Sequence, residues 1–292
     1  MLEEEWAARS AGVTSAPSVV NLSVPPDVTT AMSTTHTLPA ATGYPAARRI
    51  AVLLSVLFGV AMAWIQTSTG YGQDQSAFSR DSDALLRVAS YAFSIWGLVY
   101  LSLLVHGVWQ ALPRTAESGF LRLMAWPTVL ALIGIGLWIP AAAFDQELAT
   151  IVLIIGSAAA LILPLSAVNA CRLERRDYWL AATPLGLLAG WLTVASAANV
   201  IVVASGNGWL PDGPPAMTWP MAAVGLVALV AAAVTLKTRL LAYPLPIVWG
   251  LVAIYMAEQT RHPTLAFTAL GVAIGLAGLA MVSCFGLKRP RA

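Results

Sequence analysis

Trp96 and Tyr100 stand four residues apart in an apolar run, on the helical face that also carries Leu103, Gly107 and Gln110; Phe93 flanks that face and Tyr91 opens the run. Residues three or four apart on a helix are neighbours, so the indole and phenol rings lie one above the other. A second run places Trp191, Ala195, Ala198 and Val202 on one face, with Asn199 beside it. Aromatic rings next to a groove of small residues offer stacking surface to a flat apolar molecule, and one amide offers a hydrogen bond to its polar edge. The same residues also serve as plain bundle packing, with Asn199 making an interhelical hydrogen bond. Pattern alone leaves both readings open. Trp249, in a later run, is expected to lie outside any such site.

Other chemistry is harder to find. The chain carries no Gly-rich phosphate loop, no HExxH, no CxxCH and no nucleophile elbow. Its two cysteines, Cys171 and Cys284, make neither a disulfide framework nor a zinc site. The histidines are His36, His106 and His262. His106, one turn from Trp109 and Gln110, reads as a hydrogen-bonded residue near a helix end in preference to an axial haem ligand. Glu258 and Arg261 are spaced to pair with each other. Ion-driven transporters carry ionisable groups at mid-span, and such groups are nearly missing from these runs. The expectation is therefore no catalysis and no metal site.

Elements that position these groups follow from composition. The chain has 292 residues, 58% hydrophobic and only 10% charged, with eleven tryptophans. Soluble domains carry about 25% charged residues, so a water-soluble globule is excluded, as are a disordered chain and a nucleic-acid binder. Residues 1–46 are the exception, a polar tail rich in Ser, Thr, Pro and Ala that is expected to be disordered, with Met1 or Met32 as the start. Eight apolar runs follow, at about 49–66, 91–111, 124–142, 149–170, 179–204, 219–236, 241–257 and 265–286. A spanning helix needs about 20 apolar residues, and hydrocarbon forces each backbone amide to pair internally. The prediction is an all-α integral membrane protein, a polytopic bundle of about eight transmembrane helices. Run seven is the weakest, because Pro244 and Pro246 disturb its start. A signal peptide at the first run is disfavoured, since the run is longer than the usual core of about 7–15 residues and begins deep in the chain.

Charge orients the bundle. With the N-terminus inside, the inner segments hold twelve basic residues: Arg48, Arg49, Arg114, Arg122, Arg172, Arg175, Arg176, Lys237, Arg239, Lys288, Arg289 and Arg291. The outer loops hold three, Arg80, Arg87 and Arg261. Cytoplasmic loops collect Lys and Arg, so both termini are expected in the cytoplasm and the protein in the plasma membrane. The outer loop at about 67–90 is long enough to act as a mobile lid. The 205–218 loop is dense in turn residues, with Gly206-Asn207-Gly208 and Pro211-Asp212-Gly213. Gly186/Gly190 and Gly271/Gly275 form two GxxxG faces, for close packing within the chain or for a homo-oligomer.

The run Tyr91-Ala-Phe-Ser-Ile-Trp96-Gly-Leu-Val-Tyr100 resembles the second-helix signature of the translocator protein family, also called TspO/MBR or tryptophan-rich sensory proteins. Trp191-Leu-Thr-Val-Ala195-Ser-Ala-Ala-Asn199 resembles that family's fifth-helix pattern, and Trp138-Ile-Pro140 falls where its third helix ends in an aromatic stretch. Ala89-Ser90-Tyr91 stands where the family has Pro-Pro-x-Trp, Ile135 replaces its third-helix Asn, and the Pro-Tyr ahead of the fifth-helix Trp is absent. The similarity covers roughly residues 48–204, and it is closest to long forms with extra C-terminal helices. After the polar tail at 1–46, it implies a TspO-like five-helix region at 47–204, followed by three further helices and a short basic tail at 205–292. It also implies a membrane protein that binds a tetrapyrrole or a sterol-like molecule, porphyrin and haem included, through Tyr91, Trp96, Tyr100, Trp138, Trp191 and Asn199. A small-solute or lipid transporter, or a structural membrane subunit, is the alternative.

Overall fold

Each apolar run closes its backbone hydrogen bonds within itself, and the ends are set by local chemistry. The computed structural model describes residues 44–78, 85–211 and 215–285. The polar tail to residue 43, the 79–84 and 212–214 stretches and the basic end from residue 286 lie outside them, and with them Arg80, Lys288, Arg289 and Arg291.

The first helix, α1 (Ala46–Thr69), follows Pro45 and is closed by Gly70 at φ 66°, a left-handed position that glycine takes without strain. A helical turn at Gln75–Phe78 and a 3-10 turn at Ser90–Ser94 lead into α2 (Ile95–Ala111). Next come α3 (Gly119–Ala143), capped by the Ser118 hydroxyl, and α4 (Glu147–Leu165). Helix α5 (Thr183–Gly206) is extended at its start by Arg175–Asp177 and a π turn at Tyr178–Ala182 into one rod of 32 residues. Helices α6 (Thr218–Thr238), α7 (Pro244–Glu258) and α8 (Pro263–Phe285) complete the chain.

Seven of these elements are long and apolar enough to cross a bilayer. The seventh in order, α7, has 15 residues, about 22 Å at 1.5 Å per residue, against a hydrocarbon core of about 30 Å. The run read as 241–257 is helical only from Pro244, whose fixed φ suits a first helical position. The residues ahead of it are not wasted. Leu240, Ala242 and Tyr243 are buried, so this irregular backbone is enclosed by protein, the setting in which non-helical backbone is tolerated in a membrane protein. The fourth run is likewise shorter than its composition suggested. It stops at Leu165, and Asn169 caps a 3-10 turn through Cys171 N at 3.0 Å.

Helix α5 is the axis of the bundle. It packs on α2, α4, α6 and α7, while α1 and α3 pair beside α4, and α8 pairs with α6 and α7. It is the most buried of the spans, and Gly186, Ala189 and Gly190 explain how its neighbours come so close. A Cβ on Gly190 would lie 2.0 Å from the carbonyl oxygen of Tyr243, and one on Gly186 would lie 2.6 Å from Leu240 Cδ2. This GxxxG face is therefore filled by the chain's own α6–α7 connection, which leaves no room there for a second copy. Gly271 and Gly275 on α8 meet nothing within 4 Å.

Hydrogen bonds tie together helix ends that carry Arg49, Arg114, Arg122 and Arg175, a basic end of the bundle. Arg49 donates to Leu112 O at 2.7 Å, Gln110 to Arg49 O at 2.8 Å, and Ser118 to Asp177 at 2.7 Å. These join the start of α1, the end of α2, the start of α3 and the start of the α5 rod. Tyr44 donates to Gln110 at 2.9 Å, and burial pushes its phenol up to about 12 against the pull of Arg49 and Arg48. Cys284 Sγ at the end of α8 contacts Arg239 O at the end of α6.

Candidate functional site

Away from the basic end, α2, α3 and α5 bring four of the six candidate residues to one apolar cavity. Trp96, Trp138, Trp191 and Asn199 all line it, with Phe93, Ile135, Ala195 and Ala198. The helical spacing works as expected on both sides. Trp96 and Tyr100, one turn apart, stack with centroids 5.0 Å apart and ring planes at 19°. Trp191 meets Trp96 edge-on at 6.2 Å and Phe93 edge-on at 6.1 Å, the geometry favoured by the ring quadrupoles. Gly250 of α7 closes the back of the cavity, and a Cβ there would lie 2.9 Å from Val194 Cγ1.

Asn199 is spoken for by protein. Its Oδ1 accepts from Trp138 Nε1 at 3.4 Å and its Nδ2 donates to Thr150 Oγ1 at 3.1 Å. Thr150 in turn donates to Glu147 O at 2.6 Å. This chain links α3, α4 and α5 and keeps a buried amide satisfied. It holds the Trp138 indole against the cavity wall and uses most of the polarity a ligand would meet there.

Tyr100 and Tyr91 lie elsewhere. Tyr100 lines a second space, a groove between α1 and α2 with Trp64, Gln66, Thr67, Asp74 and Trp96. Its hydroxyl is buried without a hydrogen-bond partner. Tyr91 is 41% exposed and packs edge-on against Trp249 at 5.2 Å, outside the lining of the aromatic cavity. Trp249 is outside that lining too, and its indole donates to Ala92 O at 3.0 Å and so holds the start of α2.

The two spaces share Gln75, Phe93 and Trp96 as a common wall. The inner cavity is small, about 60 Å³, and the groove measures about 510 Å³. His106 does not belong to either. It is buried among α2 and the α5 rod, with Nδ1 donating to Leu180 O at 2.8 Å, so the residues present do not present it to a haem.

Some lining residues were not read from the sequence. Leu86 and Val88, at the end of the first outer loop, reach into the cavity and are 2% and 8% exposed. Their alternation around Arg87 was the available signal. Trp64 was a second omission, visible one turn from Val60 and near Thr67 on one face of α1. The loop itself is held at both described ends. Gln73 N donates to Ala143 O, Gln66 donates to Gln73 O at 2.8 Å, and Gln73 reaches Asp145. At the other end Arg87 N donates to Glu258 at 2.8 Å and Ala89 N to Ala253 O at 3.2 Å.

No curated protein and no solved structure matches the chain. A family model does, and it spans the bundle from the first turn of α1 into the last turns of α8. The model is that of the TSPO-like proteins, it matches residues 49–282, and this multi-pass helical membrane protein belongs to that family.

Proposed function

We propose that the protein is a membrane-embedded, non-catalytic sensory or translocator-like protein that binds a flat, largely apolar ligand of tetrapyrrole or sterol type. The observation that carries the reading is the position of Trp96, which faces the inner aromatic cavity and the α1–α2 groove at once. Ligand sites for molecules of this size measure about 300–1,000 Å³. The inner cavity of about 60 Å³ is too small for one, and the groove of about 510 Å³ is within range. In this reading the ligand's body lies in the groove against Trp96, Tyr100 and Trp64, and the unpartnered Tyr100 hydroxyl supplies a hydrogen bond. Gln66, Thr67 and Asp74 give the groove a polar rim that suits a ligand with one polar edge. The orientation that goes with it has the basic end in the cytoplasm, the plasma membrane as host and the groove in the outer half.

The test is quenching of tryptophan emission in detergent-purified protein by protoporphyrin IX, haem and a sterol analogue. Trp96→Ala removes a stacking surface at a cost of about 1–3 kcal/mol, or roughly tenfold to a hundredfold in affinity. Trp179→Ala, on an exposed ring at the basic end, leaves affinity unchanged. Equal binding by Trp96→Ala and the parent, with both folded, overturns the reading in favour of core packing. Unidirectional solute or lipid flux in vesicles without saturable quenching favours the transporter alternative.

A further inference from the structure

Helix α7 meets the segment before α2 at four points, and one of them is unusual. Glu258, the last residue of α7, is a fully buried carboxylate. Its Oε1 accepts the backbone N–H of Arg87 at 2.8 Å, and its Oε2 accepts from His262 Nδ1 at 2.7 Å. The Arg261 guanidinium lies 3.7 Å from Oε1. A buried carboxylate is costly unless it is paired and hydrogen-bonded, and here a backbone amide from a distant loop is one of its partners. On either side of that amide, Leu86 and Val88 enter the aromatic cavity. The other three points reinforce the seat: Ala89 N on Ala253 O, Ala92 O on the Trp249 indole, and the Tyr91 ring on Trp249.

We propose that Glu258 is a positioning residue that seats Leu86–Ala89 as one wall of the aromatic cavity, and that α7 thereby serves the ligand site through this segment as well as through Gly250 at the back of the cavity. The proposal rests on reading that cavity and its groove as the ligand site. It gives α7 a task that accounts for its short length: the helix ends where its terminal carboxylate meets the incoming loop.

The experiment uses the full chain in lipid nanodiscs, with Cys171→Ser and Cys284→Ser as background and Val88→Cys as reporter for a water-soluble maleimide. Labelling is slow with Glu258 present. It rises tenfold or more in Glu258→Ala and by a smaller factor in Glu258→Gln, whose amide oxygen still accepts from Arg87 N. A second reporter, Ala231→Cys, sits fully buried in α6 and stays slow throughout, which separates local release from general loosening. Unchanged labelling at position 88 in Glu258→Ala, or an equal rise at both reporters, overturns the proposal. A rise at position 88 alone, with protoporphyrin IX quenching unaltered, upholds the seat and overturns the reading of the inner cavity as part of the ligand site. A rise at position 88 with weakened quenching upholds both.

Discussion

The replacement Gly190→Ala isolates the closest approach in the bundle. The added Cβ would lie 2.0 Å from Tyr243 O, 3.0 Å from its carbonyl carbon and 3.3 Å from Pro246 Cδ. Ordinary contact begins near 3.4 Å, so α5 and the α6–α7 connection must part by 3.4 − 2.0 = 1.4 Å at this point. The clash is with backbone, which cannot rotate aside as a side chain does. Tyr243 is also anchored, its hydroxyl 2.9 Å from Thr193 Oγ1 and its N–H on Leu240 O. Overpacking costs about 1–3 kcal/mol, and the rigid neighbour puts this case toward the upper end, about 2–3 kcal/mol. At roughly 2–4 °C per kcal/mol, the midpoint of thermal unfolding falls by roughly 4–12 °C. Trp191 is the next residue and reports the change through its emission. Gly225→Ala and Gly271→Ala, whose new methyl groups meet nothing within 4 Å, serve as controls and stay within about 0.5 kcal/mol of the parent. A Gly190→Ala protein as stable as these controls refutes the packing account. So does one that changes oligomeric state and not stability, because Gly190 would then face a second copy.

Asn199→Leu removes the bond to Thr150 and the acceptor for Trp138, which lowers stability by about 1–2 kcal/mol and shifts the Trp138 emission; Thr150→Val gives a smaller loss along the same chain, and additive losses in the double variant contradict the linkage. Tyr100→Phe removes the one unpartnered hydroxyl in the groove wall, so it leaves stability within about 0.5 kcal/mol and weakens a ligand with a polar edge more than a hydrocarbon of like shape; equal effects on both ligands exclude the hydroxyl from binding. Reporter fusions after residue 118 and after residue 175 behave as cytoplasmic and one after residue 210 as external, and an external signal at 175 overturns the orientation.

What the sequence made legible follows from period and solvent. Helical spacing placed Trp96 over Tyr100 and turned Trp191, Ala195 and Ala198 toward one space, because intrahelical geometry is local. Eight apolar runs became eight helices among the described residues, because hydrocarbon permits little else. Long-range choices were not legible. Nothing in the spacing of Gly186 and Gly190 tells whether a neighbouring chain or the chain's own connection fills them, since GxxxG specifies close approach and not a partner. Asn199 read either as a ligand contact or as an interhelical hydrogen bond, and its spacing could not name the partners, Trp138 and Thr150, 61 and 49 residues away, that take up its amide. Tyr91 shares a run with Trp96, yet it belongs to the 3-10 turn, whose tighter winding directs its ring toward Trp249.

Glu258 shows the same limit from the other side. Its spacing to Arg261 and His262 describes a local ion pair, and both contacts are present. A pair of that kind at a helix end in water is worth little, and it would give no reason to bury the carboxylate completely. The reason comes from a residue 171 positions earlier, Arg87, whose backbone amide takes one carboxylate oxygen. A backbone donor leaves no mark on amino-acid type, so no sequence pattern could point to it. The arrangement ties α7 to the wall of a cavity built from α2, α3 and α5. A five-helix bundle would need some other support for Leu86 and Val88, and in this chain the seventh helix supplies it.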